Sequence, residues 1–266
     1  MARAAVNLGI TKVRITGGEP LVRPDVIEIC ERIKSIKGVE ELDITTNGFN
    51  IKNSAARLKS AGVDRINLSV DSLVRSTSSA ISRSDYFTEP LDMVDFILNA
   101  GFKELKINTV LLNGINSSEI RDFVELTKEK DITVRFIELM PIGPSESLFK
   151  SLYLDSSFVL QTCPELERVG TCGVSELYRI PAYKGTVGLI RPVSSKFCSF
   201  CNRIRITCDG KLKTCLHGSA EVDLRGLDIN ETEEKIKSEV LLKPRCHALD
   251  TERKSSSMRS MLNIGG

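Results

Sequence analysis

The chain has 266 residues, 41% of them hydrophobic and 27% charged, with 37 basic and 35 acidic side chains for a net charge of +2. That profile suits one large or two modest globular domains and gives no reason to expect nucleic acid as a partner. No apolar run reaches the roughly 18 residues of a membrane-spanning helix and the first residues lack a signal-peptide core, so no membrane partner and an intracellular, cytoplasmic location are expected.

The elements follow in chain order. "MARAAVNLGI" reads as the end of a helix. "KVRITGG" then leads to the helix-like "RPDVIEICERIKSI", and "ELDITTNGF" to "KNSAARLKSAG". "RINLSVDS" passes through the Ser/Arg-rich "RSTSSAISRS", read as a mobile loop, to "PLDMVDFILNAG". "ELKINTVLLNG" leads to "SSEIRDFVELTKEK", and "ITVRFIELMP" closes the series. Apolar residues such as Val26, Ile29 and Ile33 recur at helical spacing. Strands alternating with helices predict crossovers and a parallel sheet, an α/β fold.

One face of these strands is polar. Arg14 and Thr16 alternate with Val13 and Ile15. Asp43, Thr45 and Asn47 alternate with Leu42 and Ile44, and Asn67, Ser69 and Asp71 with Ile66, Leu68 and Val70. Lys106 and Asn108 alternate with Leu105 and Ile107. Side chains alternate faces along a strand, so these sets line one surface. A closed eight-stranded barrel fills its interior with aliphatic side chains. The expectation is instead an open or partial barrel, residues 1–160, whose concave side binds something polar.

After Met140-Pro141 the cluster "PIGPSES" reads as a linker. Residues 161–266 are expected to form a smaller α+β unit with strands in "SELYRIPAY", "TVGLIRPV" and "RIRITCDGKLKTCL", the last folded into a hairpin at Asp209-Gly210. Its centre is Cys198-x2-Cys201-x6-Cys208-x6-Cys215, four of the chain's eight cysteines. In a reducing compartment such spacing suggests metal rather than disulfides. A strand over residues 203–207 puts Cys208 on the order of 20 Å from Cys201, while Cys215 returns on the partner strand. Three thiols then remain, and spacing alone leaves zinc and an iron–sulfur cluster open. Arg203 and Arg205, two apart on that strand, share a face and suit phosphate. His217 and His247 have no spaced partner, Cys30 lies on the apolar stripe of its helix, and Cys163, Cys172 and Cys246 have no ligand spacing.

"KVRITGGEPLVRPDV", "DITTNGF", "NLSVDS", "KINTVLLNGIN", "RFIELMPIG", "GLIRPVSSKFCSFCNRIRITCDGKLKTCL" and the terminal "GG" together resemble the MoaA family, in that family's order and over essentially the whole chain. These are the radical S-adenosylmethionine (SAM) GTP 3',8-cyclases, lyases of molybdenum cofactor biosynthesis. The resemblance implies a partial triosephosphate-isomerase-type barrel and a C-terminal domain with a second, substrate-facing 4Fe-4S cluster on Cys198, Cys201 and Cys215. It places GTP contacts on Arg14, Thr45, Lys106, Arg203, Ile204 and Arg205, and SAM contacts on Gly18, Glu19, Ser69 and Met140. It sends the tail, Gly265 and Gly266, into the active site. The reaction implied cleaves SAM, abstracts the ribose 3'-hydrogen and joins C3' to guanine C8, giving (8S)-3',8-cyclo-7,8-dihydroguanosine 5'-triphosphate. Implied partners are GTP, a second copy in a homodimer, and the next enzyme of the pathway.

The sequence departs from the family at one point. The C-x-x-x-C-x-x-C motif that holds the first 4Fe-4S cluster, after the first barrel strand, is absent from these 266 residues. An N-terminally truncated chain lacking that strand and inactive alone is therefore expected, with no catalytic residue assignable. The alternative is a non-catalytic nucleotide-binding iron–sulfur or zinc protein derived from this family.

Overall fold

The computed structural model describes residues 1–247, 255–257 and 259–264; Gly265 and Gly266 lie outside the described residues. The strands are β1 Lys12–Ile15, β2 Glu41–Thr46, β3 Arg65–Ser69, β4 Leu105–Leu111, β5 Thr133–Glu138, β6 Glu167–Cys172, β7 Ser175–Arg179, β8 Thr186–Ile190, β9 Arg205–Ile206, β10 Lys211–Lys213 and β11 Val222–Asp223. The helices are α1 Ala2–Asn7, α2 Val26–Lys34, α3 Ile51–Ser60, α4 Arg75–Ser82, α5 Pro90–Asn99, α6 Ile120–Glu125, α7 Ser145–Leu152, α8 Ser157–Thr162, α9 Ile229–Leu241 and α10 Met261–Ile264.

Eight strands form one sheet in the order β1-β2-β3-β4-β5-β8-β7-β6. β1 through β5 and β8 run parallel, and β7 and β6 fold back antiparallel. The crossovers demanded by parallel pairing supply the helices, and those helices cover one face. Leu42, Ile44, Ile66, Leu68, Ile107, Val134 and Phe136 point to that side and are fully buried against Cys30, Leu58, Val94, Ile97 and Phe123. Burying each large aliphatic contributes about 1.5–3 kcal/mol, so this face decides which way every strand turns. β4 shows the consequence: Leu105, Ile107, Thr109 and Leu111 are buried, whereas Lys106, Asn108 and Val110 on the other face are half-buried.

The sheet does not stop at residue 160, since β8 continues it through its pairing with β5. A separate three-stranded sheet, β11-β10-β9, carries the cysteine hairpin. Leu212 and Leu224 of this unit pack with Ile236 of α9 and Ala5 of α1 in a small second core. α9 opens on a capping box in which Asp228 and Glu231 bond each other's backbone N–H groups, satisfying two donors that a helix start leaves orphaned.

Three expectations change. The Ser-rich stretch read as a mobile loop is helix α4, with Ile81 packed on the cluster of Leu112, Leu139 and Phe149; one well-placed apolar contact outweighs weak propensity. The strand expected over residues 203–207 is only β9, so Arg203 lies before the strand, and Cys215 lies past the end of β10. The Asp209-Gly210 hairpin itself forms, with Gly210 at φ 76°, a conformation glycine adopts without steric cost. Among the described residues no helix is long and apolar enough to cross a membrane.

Candidate functional site

The ladder register assembles the polar face into three rows. Arg14 of β1 sits beside Asp43 of β2 and then Arg65 of β3. Thr45, Asn67, Lys106 and Thr133 follow one another across β2 to β5. Ser69, Asn108, Arg135 and Gly188 form the third row across β3, β4, β5 and β8. Residues that sequence alternation put on one surface are thus neighbours in space.

Arg135 joins them although the sequence reading did not single it out. Its alternation with Val134 and Phe136 in "TVRFIE" was the available signal. Its Nη2 donates to Asn67 Oδ1 at 2.6 Å, while its buried Nε has no partner among the described residues. Burial first, and then the charges of Arg14 and Arg203, push its pKa down to about 10. Arg203 is lowered by burial and by Arg14, and Arg205 by burial and by Arg203. Arg203 keeps much of its surface in solvent, so the charge of Arg14 is the physical cause that matters there. Lys106 is lowered by burial, with Arg135 and Arg65 adding to the effect. Five cations from β1, β4, β5 and the cysteine hairpin therefore repel one another over one surface. Arg14 has a close counter-ion, Asp43 Oδ2 at 2.7 Å, and Lys106 lies 4.0 Å from Glu104. Asp43 Oδ1 and Asn108 Oδ1, buried on the same face, also lack a hydrogen-bond partner among the described residues. Crowded cations and orphaned polar atoms are the signature of a surface built for a polar, anionic ligand. A cavity of about 210 Å³ opens there between Lys106, Thr133, Arg135, Cys172 and Ser175.

Gly188 makes room for this arrangement. A Cβ there would stand 2.3 Å from Ser175 Oγ and 2.9 Å from Arg135 Cγ.

At the other end of the strands, Glu19 ties the loop after β1 to β2. It accepts from Leu21 N, Thr46 Oγ1 and Asn47 N at 2.9, 2.7 and 2.7 Å. Burial raises its pKa against these bonds, which lower it. Gly18 is exposed, and a Cβ would meet nothing there; the positive φ of the "GG" pair is Gly17's, at 152°. Thr45, Ser69 and Met140 are half-buried, and the Met140 carbonyl accepts from Ser145 Oγ at 2.6 Å. Ile204 turns its side chain into the small core, leaving its backbone for any ligand.

Cys198 and Cys201 close one 3-10 turn, with Cys201 N–H donating to Cys198 O at 3.0 Å. Arg205 is within electrostatic reach of Cys201 and Cys215. These three thiols are half-buried, whereas Cys208 at the hairpin turn is exposed. Burial works to raise the Cys201 pKa, but the Arg203 N–H and the Lys243 ammonium offset it and the net direction is down. Among the described residues no three His, Cys, Asp or Glu side chains are gathered around one ion position. Three half-buried thiols are soft donors of the kind that hold zinc or an iron–sulfur cluster, and on that chemistry the donor set fits either.

The remaining candidates resolve simply. Cys30 and Cys163 are buried, and burial pushes the Cys30 thiol up to about 11. His217 and His247, without a spaced partner in sequence, pack against each other with ring centroids 4.6 Å apart and planes tilted by 60°. Described residues near the C-terminus bond to both parts of the molecule. Ser255 N–H donates to Pro141 O, and Arg259 forks onto Asp209 and Glu221 at 2.6–2.9 Å.

Comparison with known proteins gives the class first. Residues 1–127 match the Radical SAM superfamily, and residues 132–249 match Molybdenum Cofactor Synthesis C. A GTP 3',8-cyclase of Alkaliphilus oremlandii is 41% identical over 271 aligned residues, covering all of this chain and 85% of the relative. That of Alkaliphilus metalliredigens is 42% identical with the same coverage. That of Limosilactobacillus fermentum is 40% identical, over 98% of this chain and 82% of the relative. The chain belongs to the GTP 3',8-cyclase family.

Proposed function

We infer that this chain is a radical SAM GTP 3',8-cyclase of molybdenum cofactor biosynthesis, and that its polar sheet face is where GTP and SAM meet. The observation that carries the reading is the convergence of Arg14, Lys106, Arg135, Arg203 and Arg205, whose mutual repulsion a triphosphate would relieve. Thr45 and the Ile204 backbone complete the nucleotide contacts. Gly18, Glu19, Ser69 and Met140 receive SAM, Glu19 through whatever acceptor capacity its three internal bonds leave. Cys198, Cys201 and Cys215 hold the second 4Fe-4S cluster, which when bound offers guanine an iron that no protein ligand occupies. The protein's own work is positional. Arginine forks fix the phosphates and the half-buried rows keep bulk water from the ribose, so that the reacting carbons are held in one orientation.

A partial barrel fits this role. Curvature of the parallel strands β1 to β5 would turn the cations of β1, β4 and β5 toward one ligand. We divide the chain functionally into 1–160, which presents SAM, and 161–266, which presents the cluster. A homodimer and transfer of product to the next enzyme belong to the same proposal.

The rival reading is a non-catalytic nucleotide-binding protein whose three half-buried thiols hold an iron–sulfur cluster or zinc. Anaerobic reconstitution tests both. The cyclase reading expects iron and sulfide to enter together and GTP to perturb the cluster spectrum; stoichiometric zinc without sulfide would defeat it. With SAM and reductant these residues alone are expected to release no 5'-deoxyadenosine. Robust release would show that a SAM-cleaving cluster is held some other way.

A further inference from the structure

Lys243 was not distinguished by any motif. It follows α9, where its N–H closes a turn on Val240 O, and Ile236 in the small core fixes the helix that delivers it. Its ammonium crosses to the cysteine loop. Nζ donates to Cys201 O at 2.8 Å and to Arg203 O at 2.9 Å, and lies 3.5 Å from Cys201 Sγ. A lysine has three N–H donors, and all three are directed at one short stretch.

That stretch needs an outside partner. Residues 201–204 belong to no helix or strand, so two of their carbonyls are satisfied from a side chain about forty positions away. The charge is also in an unexpected place. Arg14, Arg203 and Arg205 already crowd one another here, and another cation is unfavourable unless it faces a negative group. The group it faces is the sulfur of a candidate cluster ligand.

We propose that Lys243 is the positioning residue of the cysteine loop, fixing the turn from Cys201 to Arg203 and holding a positive charge against one cluster thiolate. The role rests on the reading that Cys198, Cys201 and Cys215 bind a 4Fe-4S cluster. Hydrogen bonds and charge at ligand sulfurs raise the reduction potential of such a cluster. Outer partners of metal ligands also set affinity, typically by about 10–100-fold. Lys243 thereby links cluster retention to the backbone that carries Arg203 and Arg205.

The test uses the full chain, reconstituted anaerobically, as wild type and as Lys243→Met, Lys243→Gln and Lys243→Arg. EPR-monitored redox titration reads the midpoint potential, and a ferrous chelator reads the rate of iron loss. Met removes both donors and charge, and is expected to shift the midpoint negative and to speed iron loss by about tenfold or more. Gln keeps donors without charge and should fall between Met and wild type, while Arg should stay near wild type. Should the Met variant load no iron, the Gln variant carries the same comparison. Met and Gln variants with wild-type midpoint and wild-type iron retention overturn the role of Lys243 and leave the cluster reading standing. A wild-type chain that takes up neither iron nor sulfide overturns the cluster reading and this role together.

Discussion

Gly188→Ala puts the inner-face geometry to a direct test. Gly188 is buried on β8, beside Arg135 of β5. Its φ lies outside the left-handed region, so the added methyl acts by volume alone. The methyl would stand 2.3 Å from Ser175 Oγ, which rotation of a short side chain relieves, and 2.9 Å from Arg135 Cγ, which it does not. Arg135 must shift its stem and give up its 2.6 Å bond to Asn67. Overpacking of this kind costs about 1–3 kcal/mol of stability. A hydrogen bond to a charged group is worth about 1.5–3 kcal/mol. If a displaced Arg135 loses one phosphate contact of that size, GTP affinity falls by roughly 10- to 150-fold at 1.4 kcal/mol per decade. Equilibrium GTP binding to the reconstituted chain, with chemical denaturation in parallel, measures both effects. Because the two residues touch, the effect should be non-additive: on an Arg135→Ala background the alanine should cost little further affinity. Wild-type GTP affinity in Gly188→Ala, or losses that simply add in the double variant, would refute the reasoning.

The double variant Arg203→Ala, Arg205→Ala should weaken GTP binding by at least about tenfold, the loss of one good contact; unchanged affinity would remove the phosphate clamp. Asp209 is held well below the ordinary carboxylate range and Glu221 is also lowered, in both cases first by hydrogen bonds from Arg259. Depressed folded pKa values mean that the Arg259 clamp contributes fully above the unfolded values of about 4 and is lost as pH falls through the folded ones. The stability gap between wild type and Arg259→Ala should be complete at neutral pH and close below about pH 4; a gap independent of pH would contradict the assignment. Glu138, fully buried at the end of β5, accepts from Ser156 N, Ser156 Oγ, Val193 N, Ser194 N and Ser194 Oγ. Glu138→Gln turns one acceptor into a donor facing donors, and should cost about 2–4 kcal/mol in a denaturation series; a change within about 0.5 kcal/mol, as at a surface site, would count against it.

Much of the site was legible because strand periodicity carries three-dimensional information. Alternation in "KVRI", "ELDITT", "RINLS" and "LKIN" assigned Arg14, Thr45, Ser69 and Lys106 to one face before any register was known, since successive side chains must point to opposite sides. Cysteine spacing likewise set Cys208 apart from the three half-buried thiols, and Asp209-Gly210 announced its turn chemistry locally. What the linear chain determined were the properties of short segments: the element types, the polar face and the hairpin. Only the tertiary structure decided which distant segments meet. Register brought Arg135 between Asn108 and Gly188. The small core aimed Lys243 at Cys201. Packing made α4 a helix against its weak propensity, and two carboxylates of the hairpin unit captured Arg259. Each depends on contacts between residues far apart in sequence, where no local periodicity reaches and where burial and charge are set by neighbours the chain supplies only once folded.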